Sequence, residues 1–463
     1  MKPFLFDEFD TKSAAAWKQK IQVDLKGLDY NDTLLWKTEE DIVVKPFYTA
    51  ADRKALPIDL PTSPFAVCQT IFVDDEKIAN SLALDALERG ANALQFIADK
   101  KFDCVALLKK IDLEATKLFF KLHFLDEKFI EKLSKITALA TPFFQIDILG
   151  NLAESGNWFD NLKADFRTLK AISKTTAQAI CVDVSLYENA GAGSVQQLAY
   201  ALSHTNEYLE NLGEGAVKNI HFIFSVRGNY FFEIAKLRAF RMLVKTLFKE
   251  YNQADSQVEI FVQPSMRNKT IFDYNVNMLR TTSECMSAIL GGASTIANIS
   301  YDAVYHKSNE FGERISRNQL LILKEEAGFN QGQYFAEGSY YIEAMSNQLA
   351  AKGLTLFQQL ENKGGFLKLL KAGVIQQKIS EKARKEQAKF DAQELRLLGT
   401  NLYANASNKM LADIELYPFV KKRNIKTLLI PITRNRLSET YEKERLENEK
   451  KSLQRQQIKT SNG

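Results

Sequence analysis

Histidine and cysteine are the residues of this sequence most able to bind a metal ion or act as a nucleophile. The chain contains His123, His204, His221, His306, Cys68, Cys104, Cys181 and Cys285. No histidine stands at metal-ligand spacing from another histidine or a cysteine, and no two cysteines form a CxxC pair. Each cysteine lies in an apolar run. We therefore predict buried, reduced thiols, histidines with core or surface roles, and no metal site.

A glycine-rich segment, NAGAGSVQQ at residues 189–197, resembles a phosphate loop that opens a helix. It fails the GxGxxG pattern, because Gly191 and Gly193 are followed by Gln196 where the third glycine should stand. We interpret the segment as a tight turn between a strand and a helix. Gly291 and Gly292 are interpreted as a helix stop.

Short apolar runs, each followed by a longer stretch with helical periodicity, indicate eight βα units on a parallel sheet. Their starts lie roughly 25 to 40 residues apart, which is the repeat of a (β/α)8 TIM barrel of the α/β class. The predicted strands are residues 65–73, 94–97, 118–124, 143–148, 179–185, 220–226, 259–263 and 295–300.

A catalytic barrel carries polar, titratable side chains at the carboxyl ends of its strands, where the βα loops build the site. The predicted ends are poor in such groups: residues 70–73 are TIFV, 185–187 are SLY and 224–226 are FSV. The pattern therefore indicates that these edges have no general base.

Two of the predicted helices have a clear apolar face. Ile78, Leu82, Ala86 and Leu87 line one face of the first helix, and Gly90 follows its end. In the sixth, Phe232, Ala235, Ala239 and Met242 share one face, whereas Lys236, Arg238 and Arg241 lie off it. We expect these three cations to reach solvent or a ligand.

Residues 1–62 form an arm with too few apolar residues for its own core, ahead of the barrel at 63–343. Such an arm either packs along its own barrel or wraps a partner. Residues 344–463 form a helical extension, with helices at 344–361 and 365–391 and a polar end expected to be a solvated helix fraying into a tail, or alternatively a partner-binding helix.

The chain has 463 residues, 45% of them hydrophobic, and 61 basic against 57 acidic residues spread along its length. This balance does not favour a nucleic-acid partner. The acidic opening segment and the lack of a long apolar run predict neither a signal peptide nor a membrane span, and hence a cytoplasmic protein.

Four segments resemble the late-barrel and linker sequences of methylmalonyl-CoA mutases. They are EIAKLRAFRML, NVNMLRTTSECMSAILGGASTI, ERISRNQLLILKEEAGF and GSYYIEAMSNQLA, at residues 233–243, 275–296, 313–329 and 338–350. VDLKGLDY and VVKPFYTAAD in the arm resemble a subunit amino terminus that embraces its partner. The resemblance implies a radical isomerase of methylmalonyl-CoA and succinyl-CoA, in which substrate threads the barrel. It also implies adenosylcobalamin in a separate flavodoxin-like domain.

The chain departs from the family pattern where catalytic members bind substrate. Residues 64–72 match the segment PWTIRQYAG, with Cys68 at its arginine, Thr70 at its tyrosine and Gln69 kept. Residues 183–192 match SGYHxxEAGA, with Ser185-Leu186 at the tyrosine-histidine pair, and a further family arginine aligns with Ser155. The resemblance thus implies a non-catalytic subunit of a heterodimer, with no catalytic and no cofactor-binding residues of its own.

No histidine lies in a DxHxxG cobalamin motif, and after the barrel the chain is too short for a flavodoxin-like domain. The resemblance therefore places adenosylcobalamin on a large-subunit partner. Gln69, Lys236, Arg238 and Arg241 are candidate residual CoA contacts. They leave open an acyl-CoA-binding regulatory barrel; an independent barrel isomerase with relocated residues is a further alternative.

Overall fold

The computed structural model describes residues 6–53, 58–253, 255–421 and 425–461. Residues 1–5 and 54–57 of the predicted arm, residue 254 of the predicted barrel, and residues 422–424 and 462–463 of the predicted extension lie outside the described residues.

Ten strands and sixteen α-helices are seen in the described ranges. The strands are β1 Trp36–Lys37, β2 Val43–Val44, β3 Ala66–Phe72, β4 Ala93–Ala98, β5 Lys117–Leu122, β6 Phe143–Phe144, β7 Ile180–Asp183, β8 Ile220–Val226, β9 Ile260–Pro264 and β10 Thr295–Ile296. The helices are α1 Ala14–Asp24, α2 Tyr30–Leu34, α3 Glu76–Glu88, α4 Cys104–Leu107, α5 Glu127–Ile136, α6 Ile148–Ser155, α7 Leu162–Thr175, α8 Ser185–Asn189, α9 Ser194–Leu212, α10 Tyr230–Glu250, α11 Val276–Leu290, α12 Glu310–Leu321, α13 Tyr340–Asn362, α14 Gly365–Lys371, α15 Val374–Asp391 and α16 Glu439–Ser461.

Strands β3 to β10 form one parallel sheet in the order β6-β5-β4-β3-β10-β9-β8-β7. Backbone hydrogen bonds join its two edges: Phe144 N donates to Gln178 O at 2.9 Å and Cys181 N donates to Ile146 O at 2.8 Å. These bonds close the sheet into a ring with helices around it, so the predicted TIM barrel is confirmed. Within the described residues this ring is the one parallel sheet.

The fourth and eighth strands are shorter than predicted, with two residues each. The fourth stops early because Asp147 caps α6, accepting a hydrogen bond from Gly150 N. Residue 148, predicted as strand, is therefore helical. Ser185 likewise begins α8 instead of ending the fifth strand.

The interior of the ring is filled with aromatic and small side chains. Phe119 stacks on Phe143 and packs against Phe261, with ring centroids 4.9 and 4.8 Å apart. Cys68 and Cys181 belong to the same cluster. Because successive strand residues alternate between faces, these side chains form a middle layer across the barrel axis.

Polar layers lie above and below this aromatic layer. Towards the carboxyl end, Thr70 Oγ1 donates to Gln95 Oε1 at 2.8 Å, and Gln95 Nε2 donates to Gln145 Oε1 at 2.6 Å. Towards the amino end, Lys117 Nζ lies 2.7 Å from Glu259. The axis is therefore filled with side chains rather than open.

The face of α3 that packs on the barrel is only partly the predicted one. Ala86 is buried and Leu87 packs against the core as predicted, but Ile78 and Leu82 are 64% and 49% exposed, and Ala79 and Ala83 are buried instead. Alanine has the smaller side chain, so this face lets the helix backbone approach the sheet closely. The prediction failed for Ile78 and Leu82 because a short helix with two apolar stripes offers two possible faces. Gly90, with φ +94°, follows the end of α3 as predicted.

The arm divides into an anchored part and a free part. Its β1–β2 hairpin packs on the chain's own barrel, because the carboxylate of Glu40 accepts hydrogen bonds from Ser194 N and Val195 N at 3.1 and 3.0 Å. Helix α1, in contrast, has no buried residue. The hairpin thus follows the first predicted alternative, and α1 remains available for the second.

The helical extension was predicted closely at its start, and its polar end forms the expected helix, α16, which does not begin in solvent. α13, α14 and α15 occupy the two predicted helical stretches. The first residues of the expected solvated tail are not in solvent: Arg436, Ser438, Glu439 and Glu442 are all buried. No helix among the described residues has the length and apolarity needed to cross a membrane.

Replacing Phe119 by alanine should remove the centre of the interior aromatic layer. We expect the free energy of unfolding to fall by about 3–5 kcal/mol, because a buried phenylalanine leaves a cavity that neighbouring strands cannot fill. Urea denaturation measures the change. Leu139→Ala is the matched control at a side chain that is 67% exposed. A Phe119→Ala loss no larger than the control's would contradict a filled axis.

Candidate functional site at the carboxyl mouth

The carboxyl end of the barrel carries several charged side chains, contrary to the sequence prediction. Lys121 and Asp183 end β5 and β7, and Asp147, Arg227 and Arg267 follow β6, β8 and β9. The prediction was wrong because the bounds of the strands decide which residues face the mouth. When the predicted end of a strand is wrong by one or two positions, the sequence pattern no longer shows that a charged residue faces the mouth.

Asp183 pairs with two cations at this mouth. Its Oδ2 lies 3.1 Å from Lys121 Nζ and 3.5 Å from Arg434 Nη2. Its Oδ1 accepts hydrogen bonds from the backbone N–H and hydroxyl of Ser185. Burial raises the pKa of Asp183, but Lys121 and Arg434 outweigh burial and hold that pKa well below its ordinary value.

A second carboxylate, Asp147, organises the wall beside Asp183. It accepts hydrogen bonds from Tyr208 OH at 2.7 Å and Asp183 N at 2.8 Å, and its Oδ1 lies 3.0 Å from His204 Nε2. The other ring nitrogen of His204 lies 2.9 Å from Tyr187 OH. His204 is therefore a buried core histidine, as predicted, and both its nitrogens are engaged.

The remaining histidines also have core or surface roles. His221 lies inside the barrel, and burial, reinforced by nearby Lys117, lowers its pKa to about 3. His123 and His306 lie at the surface beside carboxylates. The four cysteines are buried and unpaired, as predicted. No group of three potential metal ligands occurs in the described part of the chain.

A segment of the extension, residues 428–438, crosses the mouth, and we call it the mouth strap. Its backbone N–H groups donate to carbonyl oxygens of the barrel loops. The bonds are Leu428 to Gly156 at 3.0 Å, Ile432 to Ala153 at 2.7 Å, Asn435 to Asn189 at 3.0 Å and Leu437 to Arg267 at 2.9 Å. The strap therefore spans the mouth from the β6 side to the β9 side.

Helix α15 covers the mouth beside the strap. Its Glu386 pairs with Arg267 at 2.7 Å and also contacts Arg227, which lies 2.6 Å from the buried Glu188. Arg267 further donates to Asn435 of the strap at 2.8 Å. These ion pairs tie α15, the strap and the barrel loops together.

The positions predicted as degenerate are spread over the barrel. Cys68 and Thr70 lie in its interior. Ser155 is the last residue of α6, and its hydroxyl donates to Asn157 O at 2.8 Å. Ser185 and Leu186 lie at the mouth, and Leu186 lines a cavity of about 80 Å³ with Asp147 and Asp183.

The four candidate CoA contacts are buried. Gln69 accepts a hydrogen bond from Arg317 Nη1 at 2.7 Å. Lys236 lies 2.5 Å from Glu233, and Arg241 donates to Gly292 O at 2.6 and 3.0 Å. Arg238 is 2% exposed. The expected access of the α10 cations to solvent is wrong, because α9, α11 and α13 pack around that helix. Contact of these four candidate residues with CoA stays a prediction.

The glycine-rich segment forms a turn and a helix start, as predicted. Gly191 has φ +99°, and a Cβ at Gly193 would lie 2.4 Å from Glu40 Oε1. The glycines therefore let the arm approach the start of α9. The helix N-terminus binds an internal carboxylate there.

The fold defines the protein as a (β/α)8 barrel, and its charged side chains lie at the carboxyl face, where enzymes with this fold build their sites. The model of the methylmalonyl-CoA mutase family matches residues 127–460. The chain belongs to that family, which confirms the resemblance noted in the sequence.

Individual relatives agree with this assignment. The chain is 32% identical to the methylmalonyl-CoA mutase small subunit of Porphyromonas gingivalis, over 97% of this chain and 79% of that one. It is 26% identical to the methylmalonyl-CoA mutase of Cereibacter sphaeroides, over 88% and 66%. It is 25% identical to the human mitochondrial methylmalonyl-CoA mutase, over 84% and 60%. The chain thus spans less than two thirds of the latter two.

Replacing Asp183 by asparagine tests the charge pairing at the mouth. We expect a loss of about 2–3 kcal/mol in unfolding free energy at neutral pH, because Lys121 and Arg434 lose their shared partner while partly buried. The folded-state pKa of Asp183 lies below its ordinary value of about 3.9. Its contribution is therefore complete above that value and is lost as the pH falls below it.

Urea denaturation of wild type and Asp183→Asn between about pH 8 and pH 3 measures the gap between their free energies of unfolding. This gap should be constant down to about pH 5 and narrow below about pH 4. Asp10→Asn, at an exposed aspartate 3.6 Å from Lys12, is the control and should show no gap. A gap that widens in acid would contradict the pairing.

Proposed function

We propose that this chain is the non-catalytic small subunit of a heterodimeric, adenosylcobalamin-dependent methylmalonyl-CoA mutase. The large subunit would carry out the interconversion of methylmalonyl-CoA and succinyl-CoA, and this chain would stabilise it. The name of the Porphyromonas gingivalis relative, a small subunit, supports a large-subunit partner. We further propose the division into an arm at 1–62, a barrel at 63–343 and a helical extension at 344–463.

The filled barrel axis is the observation that carries this proposal. Phe119, Phe143 and Phe261 lie across the axis in contact with one another. The strap and α15 cover the carboxyl mouth above them. A long substrate that threads a barrel needs an open axis and a free mouth. Both routes are occupied by side chains of this protein.

The side chains at the substrate positions also argue against catalysis by this chain. Cys68 and Thr70 replace an arginine and a tyrosine of the family pattern, and Leu186 replaces its histidine. Burial raises the pKa of the Cys68 thiol, which keeps it neutral. A substrate carboxylate buried without a cation would cost several kcal/mol, and leucine cannot donate a hydrogen bond to a carbonyl.

The described residues do not fit adenosylcobalamin. Both nitrogens of His204 are engaged by Asp147 and Tyr187, and the strap lies across the face of the barrel that a cofactor would need. We therefore assign the cofactor to the large subunit and derive no step through it on this chain. The unpaired cysteines favour a reducing, cytoplasmic location for the complex.

The alternative of an acyl-CoA-binding regulatory barrel rested on the basic residues of α10. Lys236, Arg238 and Arg241 are all buried. Lys236 and Arg241 are paired internally, whereas Nε and Nη1 of Arg238 have no hydrogen-bond partner. At the amino end of the barrel, Lys117 is already paired with Glu259 at 2.7 Å. None of the three α10 cations is exposed at the surface to meet CoA phosphates, so we do not adopt the alternative.

Activity should require both subunits. The purified chain, given adenosylcobalamin and methylmalonyl-CoA, should form no succinyl-CoA, because its axis and mouth are closed. A one-to-one mixture with the large subunit from the same source should form it. Chromatography of the CoA esters measures the product, and the large subunit alone is the control. Turnover by this chain alone, produced in a host without a mutase, would refute the proposal.

The free helix α1 should contribute to subunit binding. Trp17 is 58% exposed and stacks on Phe47 at 5.5 Å, which leaves an aromatic surface open to solvent. We expect Trp17→Ala to weaken binding of the large subunit by roughly 5- to 30-fold, as for a buried interface aromatic. Surface plasmon resonance measures the affinity. Tyr403→Ala, at a side chain 83% exposed, is the control, and equal affinities for both variants would exclude α1 from the interface.

A further inference from the structure

The mouth strap inserts one arginine side chain, Arg434, into a recess of the barrel. We call the recess formed by Glu154, Asp183 and Ser185 the acidic recess. Arg434 Nε lies 2.6 Å from Glu154 Oε1, and its Nη2 lies 3.2 Å from Glu154 Oε2 and 3.5 Å from Asp183. Its Nη1 donates to Ser185 Oγ at 3.3 Å. All three guanidinium nitrogens therefore have an oxygen partner in the recess.

The geometry of the acidic recess suits a guanidinium group better than an ammonium group. Glu154 is engaged by two nitrogens at once, the planar fork that carboxylates form with guanidinium. Ser185 accepts a hydrogen bond from the remaining nitrogen, Nη1, and Asp183 shares Nη2 with Glu154. The ammonium group of Lys121 contacts the same oxygen, Asp183 Oδ2, at 3.1 Å. The two cations thus share Asp183, whereas the carboxylate of Glu154 is paired with the guanidinium of Arg434.

The charges in the recess agree with a permanently bound cation. Burial raises the pKa of both Glu154 and Asp183, and the neighbouring cations outweigh it and lower both values. Without Arg434, the three carboxylates that line the cavity, Asp147, Glu154 and Asp183, would be left with Lys121 and His123 as the basic side chains of that lining. The recess would then lack about one positive charge.

The recess can also be reached by small solutes. Arg434 and Glu154 are 33% and 45% exposed. A cavity of about 80 Å³ adjoins them, and its lining includes the buried Gln145, whose Nε2 has no hydrogen-bond partner. There is therefore both an entry route and spare polar volume next to the guanidinium position.

We propose that the acidic recess is a guanidinium-binding site that the chain fills with its own Arg434. The strap is then an intramolecular ligand, and Arg434 fastens the C-terminal extension across the barrel. This site is independent of the large subunit. Its chemistry is that of a receptor for planar cations, and it differs from any site for an anionic acyl-CoA.

Chemical rescue of Arg434→Ala tests the proposal. The variant should melt several degrees below wild type, and about 20 mM methylguanidinium should restore at least half of that loss. Methylammonium at the same concentration should restore little, since it lacks the planar fork. Neither salt should raise the melting temperature of wild type, whose site is filled. Equal effects of the two salts on the variant would overturn the proposal.

A milder variant keeps the test informative if Arg434→Ala does not fold. Glu154→Gln removes the bidentate partner at an exposed position, and the strap should open more often. Trypsin cleavage after Lys426, next to the strap, should then become severalfold faster. Asp85→Asn, which breaks an equally exposed ion pair with Arg89 at 2.7 Å, is the matched control. Equal cleavage rates in both variants would show that the recess does not hold the strap.

Discussion

The packing of phenylalanine side chains across the barrel axis is the constraint on which the rest of this structure depends. An eight-stranded ring encloses little more volume than its own side chains can fill. In this protein Phe119, Phe143 and Phe261 fill it. The same contacts stabilise the ring and remove the axis as a route for substrate. The carboxyl mouth is then free to bind the protein's own C-terminal extension.

Much of the fold could be predicted, because the repeat of apolar strand and amphipathic helix reports a parallel barrel directly. The details that failed are those that periodicity cannot decide. α3 has two apolar stripes, and the smaller alanine side chains took the inner face instead of Ile78 and Leu82. α10 carries Lys236 and Arg241 off its apolar face, yet α9, α11 and α13 pack against the helix and both side chains are buried. Neighbour packing determines both outcomes.

Little of the mouth could be predicted. Asp147 and Asp183 lie in short segments at strand ends, and whether their side chains face the mouth depends on where each strand ends. Arg434 reaches Ser185 from 249 positions away in the chain, inside a stretch whose polar composition indicated a solvated tail. Composition alone predicts that a charged segment is exposed to solvent. In the structure, Arg436 and Glu442 of this segment are buried and form an ion pair, with Nη2 and Oε2 2.6 Å apart. Only the fold brings such complementary charges together.

These features describe a mutase-family barrel closed by its own residues at the axis and at the mouth, and its role is proposed to be support of a catalytic partner. Equilibrium dialysis of the purified chain against succinyl-CoA tests the closed barrel most directly. We predict no saturable binding at ligand concentrations of about 1 mM, which corresponds to an affinity weaker than about 4 kcal/mol. Saturable binding of one succinyl-CoA per chain in the micromolar range would contradict the account.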